Sequence, residues 1–76
     1  MKISAEKRRA LGILAGARRG ATEALMWANG FKPKLLAGLV LAGLATAETE
    51  TVRAGGPPMK VERYFITDAG RQALLE

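Results

Sequence analysis

Residues 21–45 read ATEALMWANGFKPKLLAGLVLAGLA, and the architecture of the whole chain is built around this segment. Thr22 predicts the start of a helix, because its hydroxyl can accept a hydrogen bond from an amide of the first turn. Asn29-Gly30 predicts the end of that helix, through backbone with positive φ. Pro33 then begins a second helix that runs to Ala42. Two helices joined by a short glycine-containing turn indicate a helix-turn-helix unit.

The flanking segments predict the rest of a small α+β domain. Ser4 is suited to cap a first helix, and Thr67 is suited to cap the last one. Between them, threonine-rich alternation and a Gly-Gly-Pro-Pro loop predict a two-stranded β-hairpin. We therefore expect one domain over residues 1–76, in the order helix, helix, helix, strand, strand, helix. The flanking elements are expected as a helix over 5–17, strands over 46–53 and 60–67 joined by a loop over 54–59, and a helix over 68–75.

Charge divides the chain into two unlike halves. Residues 1–34 hold eight cations and two anions, whereas residues 35–76 hold four cations and five anions, for a net charge of +5. A basic half-domain indicates a nucleic acid or another acidic surface as partner. The alternative is that the charge serves solubility alone, and composition does not decide between the two.

Several classes of function are disfavoured by composition. The sequence has no cysteine and no histidine, so it lacks a disulfide framework, thiolate ligands and the commonest general base. Its carboxylates are dispersed, and no phosphate-binding glycine loop is present. We therefore expect no enzymatic activity and no cofactor or metal. The longest apolar run, 35–45, is too short to span a bilayer and no signal peptide is evident, so we expect a cytoplasmic protein.

Two motifs resemble those of a known superfamily. Ala42-Gly43-Leu44 precedes the hairpin, and Tyr64, Ile66, Thr67, Gly70 and Arg71 follow an aromatic-x-Ile-Thr-x-x-Gly-Arg pattern at its far end. Together with the helix-turn-helix pattern they resemble winged-helix domains of the MarR-like or PadR-like kind. The resemblance implies a three-helix core containing the helix-turn-helix, a two-stranded β-hairpin wing and a short C-terminal helix.

The same resemblance implies binding of double-stranded DNA, with the third helix in the major groove and the wing on the backbone or minor groove. Carried onto this sequence, the implied DNA-binding residues are Thr22, Lys32, Lys34, Gly38, Arg53 and Lys60. Thr22 would bond a phosphate, and Arg53 and Lys60 would make backbone contacts from the wing. A transcriptional regulator that binds mainly through phosphates is the expected function.

Helical spacing divides the third helix into two faces. Leu36, Leu39, Val40 and Gly43 are expected to face the core, whereas the outward side holds Lys34, Ala37, Gly38, Leu41 and Ala42. Apart from Lys34, these outward groups can contact only the methyl groups of thymine.

An alternative function uses the apolar residues of the same fold. Leu41 and Phe65, if exposed, would form a patch for a protein partner or for a homodimer. The alternative is therefore a winged helix that serves protein–protein interaction or oligomerisation. Trp27, the largest side chain, is expected to pack in the core or beside the first helix.

Overall fold

The computed structural model describes residues 3–76, and residues 1 and 2 of the predicted domain lie outside the described residues. Within this part of the chain, four helices and a three-stranded antiparallel sheet form an α+β fold, which confirms the predicted class. The elements in chain order are α1 (Ala5–Ala15), β1 (Ala21–Thr22), α2 (Glu23–Ala28), α3 (Pro33–Leu41), β2 (Ala45–Val52), β3 (Met59–Ile66) and α4 (Asp68–Leu75).

The start of α1 is set by local hydrogen bonding, as its sequence predicts. The Ser4 side chain accepts a hydrogen bond from the Lys7 amide at 3.1 Å, which satisfies one of the amides left free in a first turn. The helix ends two residues before the predicted Ala17, because Gly16 occupies the C-cap position. The chain then turns sharply before β1.

The boundaries of α2 and α3 follow their capping residues. The Thr22 side chain caps α2 by accepting a hydrogen bond from the Leu25 amide at 3.1 Å. Pro33 occupies the first turn of α3, where its missing N–H costs nothing. The turn between the helices differs from the prediction in one respect. Gly30 has a φ of 90°, but Asn29 has a φ of −90°, so one residue alone supplies the positive φ.

The sheet has the order β1-β3-β2, with β3 in the centre. β2 and β3 pair antiparallel over eight residue pairs, beginning with Ala45 opposite Ile66, so the predicted hairpin pairing is confirmed. Each of these strands begins one residue earlier than expected. β1 was not predicted, because two residues carry no periodicity; it is recognised only by its pairing with β3, where Ala21 lies opposite Tyr64.

Hydrogen bonds join the end of α3 to the start of α4 at the base of the hairpin. The Thr67 amide donates to the Leu44 carbonyl at 3.1 Å, and the Thr67 hydroxyl donates to the Gly43 carbonyl at 2.7 Å. The same hydroxyl accepts from the Gly70 amide at 3.0 Å and so caps α4, as predicted. A β-carbon at Gly70 would collide with the Leu44 carbonyl oxygen. We call these four residues the clasp.

The core lies between the helices and one face of the sheet. Leu36 and Leu39 of α3 are completely buried and Val40 is partly buried, as the helical spacing predicts. Gly43 is exposed, contrary to that prediction, because it lies beyond the end of α3. Arg8 ties α1 to α4 by donating from Nη1 to the Leu74 carbonyl at 3.0 Å. The buried hydrophobic residues are Ala10, Leu11, Leu14, Ala21, Met26, Phe31, Leu36, Leu39, Leu44, Ala45, Tyr64 and Ala73.

Trp27 is not part of this core, so the prediction that it packs inside was wrong. Its side chain is 64% exposed on α2. The reason is geometric: α2 has six residues and buries only Met26, and the next residue points about 100° away around the helix axis. The general tendency of tryptophan to be buried does not outweigh that direction.

Candidate nucleic-acid interface

A depression on the surface lies between the first turn of α1 and the start of α3, with a volume of ≈ 500 Å³. Three lysines share it with one acidic residue. It brings together Lys32, Lys34 and Gly38, which the sequence resemblance had grouped as groove-facing positions. The lining residues are Glu6, Lys7, Gly30, Lys32, Lys34, Leu35 and Gly38. We call this the lysine depression.

The start of α3 explains why Lys32 and Lys34 point to solvent. Lys32 is the N-cap residue, but its ammonium group has no acceptor for the amides of the first turn, and its side chain makes no capping hydrogen bond. Both lysines are exposed, whereas Leu36 lies on the opposite, fully buried side. An N-terminal position is unfavourable for a cation beside the helix dipole, and a bound anion would relieve that cost.

Lys7 is the member of the depression that the sequence did not reveal. It is half-buried on α1, and a β-carbon at Gly38 would lie 4.0 Å from Lys7 Cε. Its aliphatic stem therefore passes over Gly38, and α1 contributes a third cation to the face of α3. No pattern within α1 could have shown this, because the approach depends on how α1 and α3 pack.

Positive charge dominates the lysine depression, because Glu6 is the single anion among three lysines. Ammonium groups in this arrangement can bind phosphate oxygens as point charges. The residues described by the structure include no group of three or more histidine, cysteine, aspartate or glutamate side chains suited to hold a metal ion. The three lysines make the lysine depression suited to bind an anion.

Thr22 lies elsewhere, although the resemblance had assigned it to a phosphate. Its hydroxyl oxygen accepts a hydrogen bond from the Leu25 amide, which leaves the hydroxyl hydrogen able to donate, and its backbone belongs to β1, opposite Arg63. It does not line the lysine depression. Thr22 caps the start of α2, as predicted, and its contact with a phosphate stays a prediction.

Arg53 and Lys60 lie on a second, separate surface at the far end of the hairpin. Residues 46–60 are all exposed. The molecule is elongated and measures 44 × 22 × 20 Å. Arg53 follows β2 directly, and Lys60 pairs with Thr51 near the start of β3. Beside them Val52 lies opposite Met59, and both are exposed. The end of the hairpin is thus basic and apolar at once.

Glu48 and Glu50 lie on the side of the sheet away from the core, whereas Glu62 lies on the same face as the buried Tyr64. Glu50 is paired with Arg63, whose Nε donates to its Oε2 at 3.1 Å, and the pair is exposed to solvent. Arg63 Nη1 also donates to the Arg19 carbonyl at 3.4 Å, which draws the turn before β1 onto the sheet. A shallow depression there is lined by Arg19, Glu48, Thr49, Glu50, Arg63 and Phe65.

Phe65 and Leu41 differ in exposure. Leu41, at the end of α3, is 88% exposed. Phe65 is half-buried, and its ring lies over Gly20, where a β-carbon would come within 2.8 Å of Cε1. Of the two residues expected to form an apolar patch, Leu41 alone offers most of its side chain to solvent.

Tyr64, among the described residues, has a raised pKa. Burial raises the pKa of its hydroxyl, and the negative charges of Glu23 and Glu62 raise it further. The hydroxyl donates to Glu23 Oε2 at 3.4 Å. Tyr64 is buried in the core and does not line the lysine depression, so it stabilises the fold in its neutral form.

Comparison of the chain with known protein families, with curated proteins and with solved structures gives no match. Among the residues described, no helix combines the length and the apolar character that crossing a bilayer requires. The function proposed below therefore rests on the positions of the described residues alone.

Proposed function

We propose that this protein is a small winged-helix, DNA-binding protein that acts as a transcriptional regulator. In this proposal α2 and α3 form the helix-turn-helix, and the hairpin of β2 and β3 is the wing. The proposal is supported by the clasp, in which the two motifs that carry the resemblance contact each other. Gly43 and Leu44 come from the first motif, and Thr67 and Gly70 from the second. A transcriptional regulator acts in the compartment that holds the DNA, which agrees with the cytoplasmic location predicted from the sequence.

One observation carries the proposal: Lys7, Lys32 and Lys34 line a single depression beside the outward face of α3. A duplex whose major groove received α3 would place phosphates along both walls of that groove. The lysines would meet one of these walls, and counterion release would supply the binding free energy.

Binding of this kind has a defined dependence on salt. Each phosphate neutralised contributes a slope of about −0.9 to the plot of log K against log salt. Three lysines therefore predict a slope of about −2.7, or roughly a 40-fold loss of affinity between 50 and 200 mM salt. Contacts by Arg53 and Lys60 would steepen the slope to about −4.5.

The test is a fluorescence-anisotropy titration of a labelled random duplex at several salt concentrations. The double substitution Lys32→Ala and Lys34→Ala should weaken binding to all sequences alike and should reduce the slope by about 1.8. Arg18→Ala with Arg71→Ala is the matched control, since it removes the same charge from exposed positions outside the lysine depression. Equal losses in both variants would refute the site, and no binding at low salt would refute the function.

A second function, a protein-interaction module, is favoured by the exposed apolar residues of α2 and α3. Trp27 and Leu25 of α2 both have large exposed side chains, as has Leu41 of α3. The measurement is the mass in solution over a range of concentrations. If Leu41→Glu or Trp27→Ala converts a dimer to a monomer, and the wild type binds no duplex, this second function replaces the first.

A further inference from the structure

The outward face of α3 is almost free of hydrogen-bonding groups. Lys34, Ala37, Gly38 and Leu41 follow one another at spacings of three, one and three residues, which places them on one side of the helix. Leu41, with 88% of its side chain exposed, is the most exposed large hydrophobic residue of those described. The face extends about 10 Å from Lys34 to Leu41, which corresponds to about three base-pair steps of a duplex.

Charge indicates which partner this face receives. Lys34 and Gly38 belong both to the outward face and to the lysine depression, so the apolar end of α3 continues directly from a cationic surface. A partner that covers the whole face must therefore carry anionic groups near Lys34 and apolar groups near the end of α3. The major groove of DNA has both properties, with phosphates along its walls and methyl groups on its floor.

The hydrogen-bonding groups on the base edges limit which DNA sequences the outward face of α3 can recognise. Guanine is usually read by Arg or Lys, and adenine by Asn or Gln, through paired hydrogen bonds. Ala37 and Leu41 can form none, and Asn29 in the preceding turn already donates its side-chain amide to the Leu25 carbonyl at 2.9 Å. Packing Leu41 against polar base edges would leave those edges without hydrogen bonds, which is unfavourable.

We infer that Leu41 and Ala37 read the 5-methyl group of thymine, so that the protein prefers duplexes with thymine along one edge of the major groove. This inference depends on the proposed DNA-binding function and adds a sequence preference to it. Lys7, Lys32 and Lys34 supply affinity for any duplex, and the apolar end of α3 supplies discrimination. Burying one methyl group increases affinity about fourfold.

The experiment compares two duplexes of the same A·T-rich sequence, one containing dT and the other dU. Deoxyuridine pairs as thymidine does and lacks only the 5-methyl group. At a fixed salt concentration the wild type should bind the dT duplex about fourfold more tightly for each methyl group it contacts. Leu41→Ala should lower the ratio of the two affinities about fourfold for each methyl group that Leu41 contacts, while Ala37 keeps its own contribution and the salt dependence stays that of the wild type.

Leu75→Ala is the matched control, because Leu75 on α4 is 81% exposed and belongs to neither the outward face of α3 nor the lysine depression. It should leave the ratio unchanged. Equal binding of the dT and dU duplexes by the wild type overturns this inference alone. Absence of binding to either duplex overturns the proposed function as well. If Leu41→Ala abolishes a dimer but leaves the ratio unchanged, the face belongs to a second copy, which also overturns the inference.

Discussion

Replacing Gly70 by alanine tests whether the clasp holds α4 to the end of α3. Gly70 lies inside α4 and is buried. A β-carbon at this position would collide with the Leu44 carbonyl oxygen and would lie 2.7 Å from Ile66 Cγ1. The carbonyl cannot withdraw freely, because it accepts the hydrogen bond from the Thr67 amide. The helix must therefore move, or that hydrogen bond must lengthen.

The expected magnitude follows from three contributions. Forcing an extra carbon into a close-packed site costs about 1–3 kcal/mol, and weakening one backbone hydrogen bond costs about 1 kcal/mol. Alanine recovers about 1 kcal/mol through its higher helix propensity. The Gly70→Ala protein should therefore lose about 1–3 kcal/mol of unfolding free energy. For a domain of this size, its Tm should fall by about 4–8 °C for each kcal/mol.

Gly12→Ala provides the matched control. Gly12 also lies inside a helix, but it is exposed, and a β-carbon there would meet nothing within 4 Å. Only the propensity contribution remains, so this variant should gain about 0.5–1 kcal/mol. Both variants can be compared by urea unfolding followed by circular dichroism. Stabilisation of Gly70→Ala to the extent seen for Gly12→Ala would refute the close approach of Gly70 to Leu44.

Three further predictions concern the stability of the fold. Gly20→Ala should lower the Tm by several degrees, because Gly20 has a φ of 79° and a β-carbon would press on the Phe65 ring; an unchanged Tm in calorimetry would contradict this. The raised pKa of Tyr64 means that its stabilisation is complete below the ordinary tyrosine pKa of about 10 and is lost as the pH rises through the folded value. Urea midpoints should therefore fall at high pH in the wild type, and less so in Tyr64→Phe. Thr67→Ala should cost about 1–2 kcal/mol, whereas Thr67→Ser should retain most of that stability in the same urea assay because the hydroxyl remains.

Features determined by neighbouring residues were predictable from the sequence. The caps at Ser4, Thr22 and Thr67 form as expected, because each needs only an amide two or three residues away. Pro33 opens α3, and Leu36 faces inward, for equally local reasons. The pairing of β2 with β3 was predictable as well, since alternation and a breaker-rich loop leave few other arrangements.

Features that depend on distant packing were not predictable. β1 exists because two residues happen to lie against β3, which no local pattern indicates. Lys7 joins the lysine depression because its side chain extends from α1 to Gly38 of α3, and this contact depends on how the two helices are placed by the core. Trp27 was predicted wrongly from a general tendency. Large aromatic residues are usually buried, but α2 is too short to bury two of its sides, and Trp27 lies on the exposed one.

The position of β2 at the edge of the sheet bears on how the protein behaves when it is crowded. An unpaired strand edge can recruit the same strand from a neighbouring copy, which is how many aggregates begin. If two β2 strands met antiparallel about Thr49, Glu48 of each copy would lie opposite Glu50 of the other. Like charges placed directly across from each other disfavour such pairing. The two glutamates therefore disfavour edge-to-edge pairing between copies of the protein.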